Sequence, residues 1–225
     1  MHTFGIPGRI REICKIADDF GLTVLEDAAE ALGSLSKGKA VGSFGKCGIY
    51  SFNANKIITT GGGGMIITDD KDIYNNLLHI TKTSKIPHKY EFHHDEVGFN
   101  YRMPNINASV GLAQLECIKD ILNKKKQMAE FWTKYFEPKG LLPRSGQNGD
   151  EINNWLIAVE MKSRQQRDKF LEHTNNAGVS TRPIWKLMPE LSMYKNAVTD
   201  DLAQSRYLAD TIVNIPSGVP PYQFT

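Results

Sequence analysis

A helical pattern that runs straight into a short apolar segment ending in two acidic residues is the feature that most constrains this chain. Apolar residues recur at helical spacing over residues 10–17, and Gly21 fits the end of that helix. The apolar run from Thr23 to Leu25 then leads into Glu26 and Asp27. A helix followed by a buried strand is half of a βαβ unit, so we expect an α/β fold with a mostly parallel sheet.

A second apolar run repeats this arrangement and brings a lysine to its end. Residues 47–52 read as a buried strand that includes Ser51, and Lys56 follows on the turn beyond it. Open α/β sheets place their ligand sites at the carboxyl ends of their strands, where Asp27, Ser51 and Lys56 would meet. The glycine run 61–64 lacks the Gly-Lys-Ser/Thr ending of a P-loop and precedes a strand, so it predicts a tight turn or a close backbone approach.

The rest of the chain divides into further elements and one long connection. We predict a strand at 65–68, a helix from about 71 to 83, and a helical stretch over 106–136 with a break near 120. Residues 84–105 show little periodicity, and connections of that length are often functional.

Proline, glycine and polar residues are concentrated over 138–153, which indicates a boundary between the elements described so far and a second group. There we expect a strand at 155–160, a helix at 163–175, a strand at 179–183 and a last helix near 201–213. This order predicts a large domain over residues 1–120 and a small C-terminal α/β domain over 121–225.

Composition excludes several classes of protein. The net charge of +2 gives no reason to expect binding to nucleic acid or to a membrane surface, and the run Lys124 to Lys126 reads as the solvated face of a helix. No apolar run approaches the roughly 20 residues that span a bilayer. The first residues lack a signal-peptide pattern, and three scattered cysteines suit a reducing compartment, so we expect a cytoplasmic protein.

A lysine, a carboxylate and a hydroxyl at one sheet edge are the groups that pyridoxal phosphate requires. The lysine forms a Schiff base and carries protons, as an activated amine nucleophile does. The carboxylate keeps the pyridine nitrogen protonated, which makes the ring an electron sink, and the hydroxyl holds the phosphate. Taken singly, Lys56 is more often a solvated charge and Asp27 a turn or cap residue, so the hypothesis depends on their combination.

Three segments in order carry a resemblance to a known family. Glu26 to Gly33, Ser51 to Lys56 and Gly98 to Met103 resemble the DegT/DnrJ/EryC1/StrS family of pyridoxal-phosphate sugar aminotransferases. The resemblance covers essentially the whole chain and implies the fold-type I, aspartate aminotransferase-like architecture, here with part of the large domain and the small domain. Lys56 to Met65, Met103 to Ile106 and Thr181 to Trp185 look most like the LegC-type branch, which is associated with UDP-linked keto-sugars.

The resemblance implies roles for individual residues. Lys56 would be the Schiff-base lysine, Asp27 the partner of the pyridine nitrogen, Glu30 a residue beside the ring and Ser51 a phosphate ligand. Asn100 would reach the phosphate of the neighbouring subunit's cofactor, which implies a homodimer with shared active sites.

The substrates implied are a nucleotide-linked keto-sugar, with UDP the expected nucleotide, and an amino-acid donor, expected to be glutamate. Arg182 and Trp185 would be weaker candidates for contacts with the sugar nucleotide, and Trp185 is equally explained by packing. Arg102 is a further weak candidate in the loop that carries Asn100.

Two departures from the family pattern leave an alternative open. Relatives are usually longer, with over a hundred residues ahead of the part that matches this chain, and those residues hold a phosphate-binding loop. Relatives also often have a histidine where this chain has Lys186 to Glu190. The alternative is an inactive remnant that serves only as a binding or dimerisation module.

We expect no metal site. The run His93 to Glu96 contains metal-ligating residue types, but adjacent side chains on an extended segment point to opposite faces, and the spacing matches no standard ligand pattern.

Overall fold

The computed structural model describes residues 1–219, and these form two compact units. The first unit comprises Met1–Ile121 and Gly146–Asn153, and the second comprises Leu122–Ser145 and the chain from Asn154 onward. Six α-helices belong to the described residues: α1 Ile10–Asp19, α2 Lys71–Ile80, α3 Asn105–Glu116, α4 Ile118–Phe136, α5 Arg164–Asn176 and α6 Ala203–Thr211.

The strands are short. Numbered along the chain, they are β1 Leu25–Asp27, β2 Leu35–Ser36, β3 Lys39–Ala40, β4 Cys47–Ser51, β5 Gly64–Ile67, β6 Lys85–Ile86, β7 His93–His94, β8 Asp150–Glu151, β9 Ile157–Glu160, β10 Arg182–Pro183 and β11 Ile212–Ile215.

The first unit contains the sheet that positions the candidate site. Strands β1 and β4 run parallel, with Asp27 opposite Ile49, and β5 pairs with β4 in the antiparallel direction. The parallel pair brings the carboxyl ends of β1 and β4 to the same edge, as expected, but the expectation of a mostly parallel sheet is wrong, because within residues 1–219 the other strand pairings are antiparallel. The third strand is antiparallel because the glycine-rich connection after β4 turns the chain directly back into β5.

Two glycines of the predicted turn are required by its geometry. Gly63 has φ of 102°, which a side chain tolerates poorly. A Cβ at Gly64 would lie 2.5 Å from the carbonyl oxygen of Tyr50. The run 61–64 therefore makes a tight turn and a close approach, as the sequence predicts.

The second unit is built on an antiparallel sheet in the order β10-β11-β9. Its core is a cluster of buried apolar side chains, Phe136, Ile157, Val159, Met161, Val213 and Ile215. The helix predicted to reach residue 213 is wrong at its end, because α6 stops at Thr211 and β11 begins at Ile212. The β-branched residues of β11 pair with β9, and this pairing outweighs the helical periodicity.

The long helical stretch is interrupted at Cys117, which separates α3 from α4. Within α4 the expectation for the lysine run is wrong at its middle member. Lys125 is 8% exposed, and Nζ donates hydrogen bonds to the carbonyl oxygens of Trp155 at 3.0 Å and Ser217 at 2.6 Å. Lys124 and Lys126 are exposed, as predicted.

Across residues 1–219, each helix is too short or too polar to cross a lipid bilayer.

Candidate active site

The segment after β4 holds Lys56 in a closed loop. The amide N–H of Phe52 donates to the Gly63 carbonyl, and that of Thr60 donates to the Phe52 carbonyl, both at 3.0 Å. These bonds join the two ends of the loop that carries Lys56. Ile57 and Ile58 next to the lysine are buried, which anchors the loop to the first unit.

The Lys56 amine lies beside the carboxylate of Glu30. Nζ of Lys56 is 3.9 Å from Oε1 of Glu30, and the two side chains are 13% and 8% exposed. Burial lowers the pKa of Lys56, while the charges of Glu30 and Asp27 raise it, and the net direction is downward. A lowered pKa increases the fraction of neutral amine, which is the nucleophilic form.

Glu30 is itself held by the backbone of an unusual residue. Burial raises the pKa of the Glu30 carboxyl, against the hydrogen bond from the Phe4 amide and the charge of Lys56. The Phe4 N–H donates to Oε2 of Glu30 at 2.7 Å. Phe4 is buried with φ of 61°, a left-handed conformation that a bulky residue rarely adopts. No sequence pattern identified Phe4 as part of the site.

Asp27 and Ser51 end the two parallel strands, as predicted. Asp27 is the last residue of β1 and is exposed, and its Oδ1 accepts a hydrogen bond from the Ala29 amide at 3.1 Å. Ser51 is the last residue of β4, and its hydroxyl accepts from the Asn53 amide at 3.3 Å. Because both strands end at one edge, the carboxylate and the hydroxyl belong to the same side of the sheet.

Helix α3 supports the loop through three residues that sequence reasoning missed. The amide group of Gln114 bonds both the N–H of Thr59, at 3.1 Å, and its carbonyl, at 2.8 Å. Asn107 donates to the Thr60 carbonyl at 2.6 Å. A Cβ at Gly111 would lie 2.7 Å from the Thr60 methyl, so glycine allows the helix to approach the loop. Asn107, Gly111 and Gln114 recur at helical spacing, and this spacing is the sequence pattern that could have identified them as one face of a helix.

Glu26 is a further residue of the first unit whose role was not predicted. Its carboxylate is 1% exposed and accepts hydrogen bonds from Nε2 of His2 at 3.0 Å and from the amides of Gly42 and Gly45, each at 2.7 Å. The amide of Phe44 also donates to it. The alternation of side chains along a strand could have predicted its burial, because it turns Glu26 to the face opposite the exposed Asp27.

These hydrogen bonds determine the ionisation of Glu26. Burial raises its pKa, but the bonds from His2 and the three amides outweigh burial and bring the pKa below its ordinary value. Nδ1 of His2 accepts from the Gly8 amide at 3.0 Å, which leaves Nε2–H to donate to the carboxylate. Glu26 therefore ties the first residues and the 42–45 turn to β1.

The remaining predicted residues of the first unit lie on its surface. Asn100 is exposed and forms an isolated bridge with Lys82. Arg102, also exposed, lines an apolar cavity of about 540 Å³ together with Met65, Tyr74 and Met103.

In the second unit, Arg182 lies exposed on β10, opposite Asn214 of β11. Trp185 is 53% exposed and stacks on the buried Trp155, with ring centroids 6.4 Å apart and an interplanar angle of 16°.

One cluster of metal-ligating residue types contradicts an argument made from the sequence. Oδ1 of Asp95 lies 2.7 Å and Oε1 of Glu96 lies 3.7 Å from Nε2 of His79, so these two adjacent side chains do converge. Their alternation is broken because the chain leaves the two-residue strand β7 at His94. The hydrogen bond between His79 and Asp95 lowers the pKa of Asp95. The expectation that no metal binds stays a prediction.

The groups at the sheet edge fit pyridoxal phosphate. A largely buried amine of lowered pKa, two carboxylates and a hydroxyl are the donor set that this cofactor needs from a protein. Lys56 would hold its reactive carbon, Asp27 its ring nitrogen and Ser51 its phosphate.

Comparison with known proteins gives concordant matches. The DegT/DnrJ/EryC1/StrS aminotransferase family matches residues 1–220. GDP-perosamine synthase of Escherichia coli O157:H7 is 35% identical over 208 residues, which cover 90% of this chain and 56% of that protein. The chain thus spans little more than half the length of this relative.

Solved structures match the fold. Helicobacter pylori PseC, an aminotransferase involved in the biosynthesis of pseudoaminic acid, superimposes with a TM-score of 0.89 at 22% identity, covering 96% of this chain and 59% of that one. The PLP form of Spr1654 from Streptococcus pneumoniae gives a TM-score of 0.84 at 21% identity, with 96% and 62% covered. These matches confirm the predicted fold-type I architecture.

Proposed function

The chain belongs to the DegT/DnrJ/EryC1/StrS aminotransferase family. We propose that it acts as a pyridoxal-phosphate-dependent aminotransferase whose substrate is a nucleotide-linked keto-sugar. The amino donor in this proposal is glutamate, and the expected nucleotide is UDP. The observation that carries the proposal is the position of the Lys56 amine, which is largely withdrawn from solvent and lies 3.9 Å from the Glu30 carboxylate, at the edge where Asp27 and Ser51 end parallel strands.

When bound, pyridoxal phosphate supplies an electron sink that stabilises negative charge on the carbon that loses its proton. Every other task falls to the chain. The carboxylate of Asp27 holds a proton on the ring nitrogen, and the hydroxyl of Ser51 donates to the phosphate. Nζ of Lys56 would take the proton from the α carbon of the amino donor and deliver it to the cofactor carbon that receives the amino group, and its lowered pKa increases the share of neutral amine available for this.

Glu30 has a positioning task in this proposal. Its carboxylate lies 3.9 Å from Nζ of Lys56 and would orient that amine beside the ring, while burial raises the pKa of the carboxyl. The Phe4 amide fixes the carboxyl on its other side. Arg182 and Trp185 of the second unit are the proposed contacts to the sugar nucleotide.

The functional unit we propose is a homodimer in which Asn100 reaches the partner's cofactor phosphate. In support, the segment around Asn100 exposes several large apolar side chains, namely Val97, Tyr101, Ile106 and Leu112, each at least 61% exposed. Such a surface is typical of a protein interface.

Two experiments test the dimer. Light scattering should give twice the chain mass. In addition, an equimolar mixture of inactive Lys56→Ala and Asn100→Ala chains, refolded together, should recover part of the activity, because a hybrid dimer contains one intact shared site. Absence of recovery from a mixture that does form dimers would count against shared sites.

The competing hypothesis is a chain that binds a partner or dimerises without catalysis, and the exposed apolar side chains around Asn100 suit it equally. The two hypotheses differ in whether Lys56 bonds the cofactor.

Reduction with borohydride in the presence of pyridoxal phosphate separates these hypotheses. We expect a permanent adduct whose peptide map places it on Lys56, and we expect none in Lys56→Ala. Lys46→Ala is the matched control, because Lys46 is half exposed and paired with Asp70, and its loss should leave the adduct intact. Adduct spread over surface lysines, or retained in Lys56→Ala, would contradict the enzyme proposal.

The substrate is tested by offering UDP-linked and GDP-linked keto-sugars with glutamate and measuring 2-oxoglutarate. We expect the UDP sugar to be used faster. The GDP-linked sugar is the appropriate competitor to test, because the Escherichia coli relative is named for a GDP sugar.

A further inference from the structure

A histidine and two carboxylates converge at the end of helix α2, and none of the proposed steps of amino transfer uses them. Nε2 of His79 lies 2.7 Å from Oδ1 of Asp95 and 3.7 Å from Oε1 of Glu96. The ligand atoms of these three side chains all lie within 4.8 Å of one another. All three residues belong to the first unit, so the cluster is complete within one compact body.

The separations between these atoms fit a tetrahedral metal ion. Bonds of about 2.0–2.2 Å from Zn²⁺ to nitrogen and oxygen, set at tetrahedral angles, separate neighbouring ligand atoms by about 3.3–3.6 Å. The observed 2.7 Å and 3.7 Å lie on either side of that range, so an ion fits after shifts of less than about 1 Å. The side chains of His79, Asp95 and Glu96 are 31%, 46% and 47% exposed, which allows such shifts and gives a hydrated ion direct access.

Two adjacent carboxylates can serve one ion because the chain is not extended at their position. Strand β7 ends at His94, and Asp95 and Glu96 follow it in an irregular segment without the alternation of a strand. The expectation of no metal assumed an extended run from His93 to Glu96, which the structure does not have. The physical objection to a shared ion is thereby removed.

A buried hydroxyl beside the cluster lacks a protein partner. Ser84 is 0% exposed, and within residues 1–219 its Oγ has no hydrogen-bond partner. The Ser84 N–H donates to the His79 carbonyl at 3.1 Å, and the Ser84 carbonyl accepts from the Asp95 N–H at 3.3 Å, so its backbone joins two residues of the cluster. Buried polar groups are nearly always satisfied by protein, water or an ion. A water molecule held by a metal ion would supply the missing partner.

We propose that His79, Asp95 and Glu96 bind one divalent transition-metal ion, with water in the remaining position. One imidazole with carboxylates suits Zn²⁺, Co²⁺ or Ni²⁺. The same set disfavours Mg²⁺, which prefers an octahedral shell of oxygen ligands. Three protein ligands and an open fourth position leave the ion exchangeable with solvent.

The ion fastens helix α2 to the segment that carries Asn100. His79 lies in the last turn of α2, and the two carboxylates precede Asn100 by four and five residues. The N–H of Phe99 already donates to the carbonyl of Ile80 at 2.7 Å, so the helix end and the segment are in contact there. A bound ion adds a second attachment and restrains the segment between them.

Equilibrium dialysis of the 225-residue chain in a metal-buffered Zn²⁺ series, followed by metal analysis, tests the site. We expect the wild type to hold one more zinc equivalent per chain than His79→Gln. The glutamine amide keeps a hydrogen-bond donor for Asp95 but is a poor ligand for zinc. Asp95→Asn and Glu96→Gln should each weaken the same equivalent at least about tenfold, since the loss of an outer-shell partner alone costs about 10–100-fold.

His88→Gln is the matched control. His88 is exposed in the same segment and pairs with one carboxylate, Nδ1 lying 4.0 Å from Oε2 of Glu91, and it lies outside the cluster. Its replacement should leave zinc content and affinity at the wild-type values. Excess Mg²⁺ should not displace the zinc, whereas Ni²⁺ should compete with it.

Limited trypsin digestion gives a second measurement. Lys89 is exposed in the segment between α2 and the two carboxylates. Zinc should slow cleavage after Lys89 about threefold or more in the wild type, because binding depletes the open form, and should leave the rate unchanged in His79→Gln. Cleavage after the exposed Lys37 in the same digests reports any effect of zinc on trypsin itself.

The outcomes decide the assignment without reference to amino transfer. Equal zinc content and affinity in the wild type and His79→Gln overturn it, and so does displacement of the zinc by an equal concentration of Mg²⁺. A purely structural His79–Asp95 pair predicts that zinc changes neither chain's cleavage after Lys89. The borohydride adduct at Lys56 reports on a different site, so failure of either proposal leaves the other standing.

Discussion

The Lys56 amine lies 3.9 Å from the Glu30 carboxylate, and both groups are largely withdrawn from solvent. Burial acts on the two pKa values in opposite directions, lowering that of Lys56 and raising that of Glu30, while their mutual attraction resists both shifts. The pair therefore sets the balance between the charged and the neutral amine of Lys56.

Glu30→Gln should lower the pKa of Lys56 further. Burial of the amine remains in this variant, but the charge that opposes burial is gone. Labelling by acetic anhydride at a series of pH values, read by mass spectrometry, should show the Lys56 profile displaced to lower pH. Lys46 is an internal control in the same samples, because its pKa is raised by Asp70 and is independent of Glu30. A Lys56 profile that stays in place or moves to higher pH would refute the coupling.

The sequence predicted the parts of this site that depend on local order along the chain. Asp27, Ser51 and Lys56 follow apolar runs, and the ends of such runs meet at a sheet edge. It did not predict the roles of Glu26 and Phe4. Glu26 accepts a hydrogen bond from Gly42, 16 residues away, and Phe4 donates one to Glu30, 26 residues away. Contacts of this kind depend on how elements pack, which local periodicity does not encode.

Glu26 should be among the most costly residues of the first unit to replace. Glu26→Ala removes the acceptor of four hydrogen bonds and leaves buried donors unsatisfied, so we expect a loss of about 3 kcal/mol in the free energy of unfolding. Urea denaturation measures it. Glu12→Ala is the control, because the Arg9–Glu12 pair is exposed at 3.7 Å and should change stability by less than about 0.5 kcal/mol.

The same carboxylate should make the fold acid-sensitive. The folded pKa of Glu26 is depressed, so its contribution is complete above the unfolded value of about 4.3 and is lost as pH falls through the folded value. The stability difference between wild type and Glu26→Gln should therefore shrink in urea denaturation below about pH 4.3. A difference that is constant down to pH 3 would show that the charge of Glu26 contributes nothing.

Gly111→Ala should disturb the Lys56 loop from helix α3. Alanine favours the helix by up to about 1 kcal/mol over glycine, but its methyl would meet the buried Thr60 methyl at 2.7 Å, and overpacking typically costs about 1–3 kcal/mol. We expect net destabilisation and slower adduct formation at Lys56.

A double-mutant cycle identifies the clash. Thr60→Ser removes the methyl and keeps the hydroxyl that donates to the Gly62 carbonyl. In that background Gly111→Ala should become neutral or stabilising, and the rate of borohydride-trapped adduct formation should recover. Additive effects of the two substitutions would locate the damage elsewhere.

The fold shows where periodicity is sufficient and where it fails. The helices α1 and α5 were predicted to within a few residues, because each has a clear apolar pattern or a capping residue such as Ser163, whose hydroxyl accepts from the Gln166 amide. β11 was missed because its identity depends on pairing with β9 and β10. Lys125 was misassigned because a run of three lysines on a helix cannot all face one side, and its middle member points inward.

Lys125 should give the second unit a stability that rises with pH. Burial lowers its pKa from 10.5 to about 8, and the ammonium group is satisfied by two backbone carbonyls instead of a carboxylate. Between these two values the unfolded chain binds more protons than the folded one, so the free energy of unfolding increases with pH. The gain attributable to this residue is up to about 3 kcal/mol, since one pKa unit corresponds to about 1.4 kcal/mol.

Lys125→Met should remove that rise, because methionine has a similar length and no titrating group. Urea denaturation at pH 7, 8, 9 and 10, followed by tryptophan fluorescence, measures the slope for each chain. Lys124→Met is the matched control, because Lys124 is exposed on the same helix, so the slope should persist in this variant. Equal slopes in the wild type and Lys125→Met would show that the ammonium group is not desolvated in the folded protein.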